Sequence, residues 1–260
     1  MLQPPTPQAN QPAPEVAALT SAALERLRRA DPERHAHSLA VARLTRPFQT
    51  SFSRAYARRG LSIDVVATAE PRNDPPTPGA PRRLWNVVEV RSATSPQSAN
   101  GSGGLSDEER AHLAGVLHDV RRNDDGRSHL FVPDEVESRH PASLLHGPLA
   151  AQWAWDQGLR DVRVLFAVRY HTIGHPRPTP LLCALMLADA LEPGRRFPGV
   201  DKLRAVAEAS PLEALHNRLE QTTRHVRRCG GEVHPNTLEQ MRFLAALIES
   251  GSTIDPYPRT

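Results

Sequence analysis

Cysteine is scarce: Cys183 and Cys229 are the only two in 260 residues, too few for a disulfide scaffold or a Cys-rich zinc site. A reducing, cytoplasmic setting is the expectation. No run of about 18 apolar residues occurs, so no membrane-spanning helix is expected. The opening residues, MLQPPTPQANQPAPE, lack a basic stretch followed by an apolar one, and do not read as a secretion signal. Lysine is almost missing, since Lys202 is the single one among 32 basic residues. Set against 29 acidic residues, this leaves a net charge of +3, too little to argue for nucleic acid. Arginine's planar fork suits phosphate, although an Ala- and Arg-rich chain also follows simply from a GC-rich genome.

Proline and histidine are what the chain has in quantity. An apolar fraction of 39% with 25 prolines is unsuited to one compact helical body throughout, so part of the chain is expected to lie outside the fold. The length suffices for one large domain or two small ones. Twelve histidines suggest metal or phosphate chemistry.

Residues 1–15, rich in Pro and Gln, predict a disordered tail. Helical signals start near Glu15 and strengthen at Asp31-Pro32-Glu33, which supplies an N-cap, a proline at the first helical position and an acid in the first turn. That helix is expected to run towards Arg59 and stop at Gly60. Residues 61–105 change character. IDVVATAE and LWNVVEVRS allow one weak hairpin, but PRNDPPTPGAPRR and SATSPQSANGSGG predict a flexible insertion around it. Order resumes at Ser106, where SDEE is a capping box with Glu109. Helical stretches then stop at Gly158, at Gly174 and at Glu192-Pro193-Gly194, and further helices are expected near 200–209, 211–228 and 236–249. The predicted fold class is all-α. Its parts would be the tail 1–15, the first helices 16–60, the insertion 61–105, the remaining helices 106–250 and a terminal tail 251–260.

His118-Asp119 follows an apolar helical turn, AGVLHD. Neighbouring helical residues point about 100° apart, so both can reach one metal, or the carboxylate can bridge two. A lone His-Asp pair is weak, however, in a chain with this many histidines. His146 and His171 each belong to a different predicted helix with an apolar face, and each would otherwise be a core histidine bonded to a carbonyl. Asp189 interrupts LLCALMLADAL, where an ionised carboxylate costs several kcal/mol unless a cation or donors compensate. Metal ligation and an arginine salt bridge answer that equally well. On the first helix, periodicity does not choose between His35 and His37. Mixed His/Asp ligation without thiolates suits Fe, Mn, Zn or similar ions.

The order H…HD…H…H…D resembles the HD-domain phosphohydrolases, and among them the YqeK-type symmetrical diadenosine-tetraphosphate hydrolases. The segments that carry the likeness are RHAHSLAVA (34–42), AGVLHD (114–119), LLHGPLAA (144–151), AVRYHTIG (167–174), LADALEPGRRFPGV (187–200) and HPNTLEQMRFL (234–244). LEPGRRFPGV is the most specific, because the metal site common to HD proteins does not need it. The resemblance implies an HD-domain helical bundle with the insertion placed after its first core helix. It selects His37 as the first ligand, with His118, Asp119, His146, His171 and Asp189 completing a site for two divalent ions, iron first and Mn, Co or Zn as alternatives. His118, Asp119 and Arg122 would be catalytic, while Arg122, Thr172, Arg195 and Arg196 would meet the phosphates. The implied reaction splits a dinucleoside tetraphosphate into two nucleoside diphosphates. A homodimer is compatible with it, and no membrane or strong nucleic-acid partner is expected. Two departures stand out: the chain between His37 and His118 is far longer than the family's, and Arg122 replaces a lysine, a fork in place of a compact ammonium. The rival readings are another HD-type nucleotidase or phosphodiesterase, and a nucleotide-sensing scaffold with weak turnover.

Overall fold

A computed structural model describes residues 14–67, 88–92, 104–123 and 141–250. Residues 1–13 of the expected N-terminal tail, the terminal tail 251–260 and the greater part of the predicted insertion lie outside the described residues, while Pro14 and Glu15, expected in the tail, already belong to the first helix. Within them, helix dominates. α1 spans Pro14–Ala30, α2 Pro32–Ala57, α3 Asp107–Leu117, α4 His146–Asp156, α5 Val162–Tyr170, α6 Pro180–Leu191, α7 Val200–Ala209, α8 Pro211–Arg228 and α9 Pro235–Glu249. The cap chemistry is the one the sequence predicts. Asp31 accepts from the backbone N–H groups of Glu33 and Arg34 ahead of Pro32, and Ser106 forms a reciprocal box with Glu109. Gly60, Gly158 and Gly174 follow α2, α4 and α5 with positive φ, the conformation that only glycine adopts without strain.

α6 is the axis of the fold. Leu181 to Ala188 are all buried, which is why this helix is apolar all round. α2, α3 and α5 pack about it. Two of these contacts are close enough to need glycine. A Cβ on Gly115 of α3 would lie 2.3 Å from the Cα of Ala42 on α2, and one on Gly147 of α4 would lie 2.6 Å from the Arg169 carbonyl oxygen on α5. His118 and His146 sit three residues and one residue from these glycines, so backbone contacts set the separation of the histidine-bearing segments.

The expected hairpin exists in part and is not loose. β1 (Ile63–Ala67) pairs antiparallel with β2 (Val88–Ser92), Val65 opposite Val90. Ile63 and Val65 are buried and join the main core. Asp64, which points the other way as strand alternation requires, takes a two-pronged ion pair from Arg163 of α5 at 2.6 and 2.5 Å. Residues 63–67, expected in a flexible segment, are therefore docked on the helical body. No described helix is long and apolar enough to cross a membrane.

Candidate metal centre

Five segments meet at one end of α6. His37 comes from the second turn of α2, His118 and Asp119 from the turn leaving α3, His146 from the start of α4, His171 from the residue after α5, and Asp189 from the last turn of α6. Most of these positions are helix ends, where the chain can turn a side chain inward without breaking an apolar face. The six side chains share one cluster. His37 Nε2 is 3.2 Å from His118 Nε2 and 3.1 Å from Asp189 Oδ1. His146 Nε2 is 3.1 Å from His171 Nε2. Asp119 lies between the two pairs: Oδ2 is 3.7 and 3.6 Å from the His37 and His118 nitrogens, and Oδ1 is 3.2 and 4.0 Å from those of His146 and His171.

The outer nitrogens define the chemistry of this cluster. His118 Nδ1 donates to the Gly115 carbonyl at 2.8 Å and His171 Nδ1 to that of Val168 at 2.7 Å, while His146 Nδ1 lies 2.6 Å from the Ser143 carbonyl and 2.9 Å from Arg122 Nη1. A carbonyl only accepts, so in His118 and His171 Nδ1 carries the hydrogen and a neutral ring leaves its Nε2 lone pair facing inward. His37 presents Nδ1 to the Glu192 carboxylate at 3.2 Å, the carboxylate–histidine arrangement that raises ligand basicity. Two inward lone pairs 3.1–3.2 Å apart repel each other unless a cation or proton lies between them. Metal–nitrogen bonds of about 2.0–2.1 Å place neighbouring ligand nitrogens about 2.9–3.4 Å apart. The donor set fits a divalent ion.

Ionisation points the same way. Burial pushes the His171 pKa down, with His146 and His118 adding to it, to about 3. Burial lowers that of His118 as well. Burial would raise Asp119 and Asp189, but the histidines around Asp119, and His37, His118 and Arg195 around Asp189, hold both well below the usual carboxylate range. Burial opposes protonation of His37, yet its bond to Asp189 raises its pKa overall. Anionic carboxylates and neutral imidazoles are the forms that bind metal.

No family profile matches the sequence. The chain is 30% identical over 139 residues to the symmetrical bis(5'-nucleosyl)-tetraphosphatase of Halalkalibacterium halodurans, covering 51% of this chain and 74% of that one. Its Bacillus subtilis namesake is 29% identical over 147 residues, covering 54% and 79%. This chain belongs to the symmetrical bis(5'-nucleosyl)-tetraphosphatase family. The Staphylococcus aureus member is 37% identical over 107 residues, covering 39% of this chain and 55% of its own. A crystal structure titled as a predicted HD superfamily hydrolase involved in NAD metabolism, from Clostridium acetobutylicum, superposes with a TM-score of 0.61 at 23% identity. That match covers 87% of this chain and 96% of the other, and the two share the HD-type helical fold.

Around the centre of this family member opens a cavity of about 340 Å³ lined by Asp119, His146, His171, Asp189 and four arginines. Arg122 reaches the Ser143 carbonyl at 3.0 Å, beside His146. Arg195 pairs with Asp189 through Nη2 and reaches its backbone carbonyl at 2.7 Å through Nε, so the arginine salt bridge is present and the carboxylate also faces His37. Thr172 lines the cavity with its hydroxyl donating to Leu144 O at 3.2 Å. Arg196 does not come in. It is exposed and turned to the Pro193 and Arg195 carbonyls. His234 lines the cavity as the cap of α9, accepting from the Asn236 N–H at 3.1 Å.

Sequence reasoning passed over three residues. Arg34 donates to Asp119 Oδ2 at 2.9 Å; it stands one helical turn before His37, and that i, i+3 spacing was the available signal. Glu192 holds His37 and lies inside the recognised LEPGRRFPGV run, where it was given no role. Arg218 of α8, the fourth arginine, gives no local signal beyond being a charge on an apolar helix face.

Proposed function

We propose that this chain adds water across the central P–O–P linkage of dinucleoside tetraphosphates, converting diadenosine tetraphosphate and water into two molecules of ADP. The observation that carries the reading is the placement of Asp119, one carboxylate oxygen turned to each histidine pair, in a chain of the symmetrical tetraphosphatase family. Two divalent ions fit this division: His37, His118, Asp119 and Asp189 would hold one, and Asp119, His146 and His171 the other. Iron is the first choice, with Mn, Co and Zn sharing the preference for mixed nitrogen and oxygen donors. Ions bound there would supply Lewis-acid charge and bring the pKa of a water near neutrality.

The chain's own residues do the rest. Asp119 and Asp189 remain ionised, so the centre is charged to receive cations. Arg34 and Arg195 orient those carboxylates by charge-assisted hydrogen bonds. Arg122, set beside His146 at the mouth, is placed to offset charge on the phosphoryl oxygens as the bond breaks. Thr172, which lines the same cavity, would be a further phosphate contact. Residues 68–87 and 93–103 supply no ligand in this scheme.

Anaerobic purification, metal analysis and turnover of diadenosine tetraphosphate with product identification test the proposal. ADP as the sole nucleotide product is expected. AMP with ATP would contradict the symmetrical cut, hydrolysis confined to mononucleotides would favour another HD activity, and tight nucleotide binding without turnover would favour a sensing role.

A further inference from the structure

Arg218 is the one arginine of the cavity with no carboxylate or carbonyl to hold. Arg34 and Arg195 are committed to Asp119 and Asp189, and Arg122 to the Ser143 carbonyl. Arg218 is partly buried and has no hydrogen-bond or ion-pair partner among the described residues. Its guanidinium instead lies over the Phe197 ring, 4.7 Å from the centroid. Phe197 itself packs on the core, so it fixes the guanidinium plane from beneath and leaves the N–H edge free. Burial lowers the arginine's pKa, opposed by Asp189 across the cavity, so the cation is partly dehydrated as well as unpaired. A guanidinium carries five donors and no acceptor, and leaving them unsatisfied in a partly dry site costs stability. Along the same wall of α8 stand Leu215, Leu219 and Val226, with Thr222 and Thr223 between them, the Thr222 hydroxyl being turned to the Arg218 backbone carbonyl at 3.0 Å.

We infer that Arg218, held by Phe197, binds a phosphate of the nucleoside diphosphate half that lies in the cavity, and thereby measures the distance between that half and the scissile linkage. The inference rests on the tetraphosphatase reading. Planar, fork-like donation suits phosphate oxygens better than a lysine would, and the aromatic ring beneath restricts the fork to one orientation. The adjoining Leu215 and Leu219 of α8 then face the nucleoside rather than the phosphates.

The test compares the full-length, metal-loaded wild type with Arg218→Gln and Arg218→Lys. Loss of a charged hydrogen bond predicts that Arg218→Gln raises the KM for diadenosine tetraphosphate roughly ten- to hundredfold, with a smaller change in kcat. The competitive inhibition constant of ADP should rise by a matching factor, while that of adenosine, which has no phosphate, changes far less. Arg218→Lys should recover part of the loss and covers the case in which the glutamine variant fails to fold. A fall in kcat with KM and ADP inhibition unmoved would overturn the inference, as would equal weakening of adenosine and ADP, which marks base stacking. A wild type that does not yield ADP from diadenosine tetraphosphate sinks the parent reading instead, whatever the variants do.

Discussion

The two histidine pairs that share Asp119 are built differently. The His37–His118 pair is surrounded by charge: Asp189 stands beside it, Glu192 holds His37 from behind, and Arg34 and Arg195 hold the carboxylates. The His146–His171 pair is held from behind by backbone carbonyls and receives one oxygen of Asp119. Two carboxylates beside one pair and a single shared oxygen beside the other imply unequal affinity for cations. In the proposed two-ion scheme the first half would be the tighter site, and the second, beside Arg122 and Thr172, would leave room for substrate oxygens.

Removing the shared element should have the largest effect. Asp119→Ala is expected to cut turnover by about a thousandfold or more, because ligands acting as a unit fail together, while circular dichroism stays helical. Residual activity near wild type would remove Asp119 from the centre of the comparison. Glu192→Gln strikes one half only. Loss of an outer carboxylate typically costs 10–100-fold in metal affinity, so chelator competition should show one of the two ions released earlier and the other unmoved. Equal weakening of both would mean that the halves do not bind separately.

Gly115→Ala and Gly147→Ala sharpen the same contrast through packing. A methyl group on Gly115 meets the Ala42 Cα at 2.3 Å, its nitrogen at 2.6 Å and its Cβ at 2.9 Å, whereas on Gly147 one atom, the Arg169 carbonyl oxygen, comes below 3 Å, at 2.6 Å. Each is expected to lose about 1–3 kcal/mol, Gly115→Ala more than Gly147→Ala, in urea denaturation. Helical propensity alone would make both substitutions stabilising by up to about 1 kcal/mol, so a stabilised variant would show that the helices are not in contact there.

The smallest effect concerns His175, packed against Phe166 and Tyr170. Burial brings its pKa down to about 4, below the ordinary value of about 6.5. Folded His175 thus stays neutral where the unfolded chain takes up a proton. Its contribution is fully present above about pH 6.5 and is lost as pH falls towards 4. His175→Gln should flatten the decline of stability across that window, measured as urea midpoints at several pH values. An unchanged slope would mean that His175 titrates normally.

Much of this architecture was legible because its signals are local. Asp31-Pro32-Glu33, the Ser106–Glu109 box and the glycines ending helices each act within one turn of chain, and the structure keeps them. His118-Asp119 and Asp189 were visible as polar groups set against apolar surroundings. What stayed hidden depends on separation in sequence. Asp189 finds Arg195 six residues away and His37 on another helix, so metal ligation and the salt bridge were never exclusive alternatives. Arg34, Glu192 and Arg218 become site residues only when α2, α6 and α8 meet. The docking of β1 depends on Asp64 meeting Arg163 across 99 residues, whereas its composition read as part of a loose segment.

The contact of Gly115 with Ala42 has a further consequence for the chain between α2 and α3. Where His37 faces His118 is set by two helix backbones in direct contact rather than by the chain that joins them. Closing a connection of that kind costs only about 0.6 kcal/mol for each doubling of its length. The junction can therefore accept new sequence without disturbing the ligands, and β1 shows added chain acquiring a seat of its own on α5. It is a port where one domain could be spliced into another, with the catalytic machinery indifferent to the cargo.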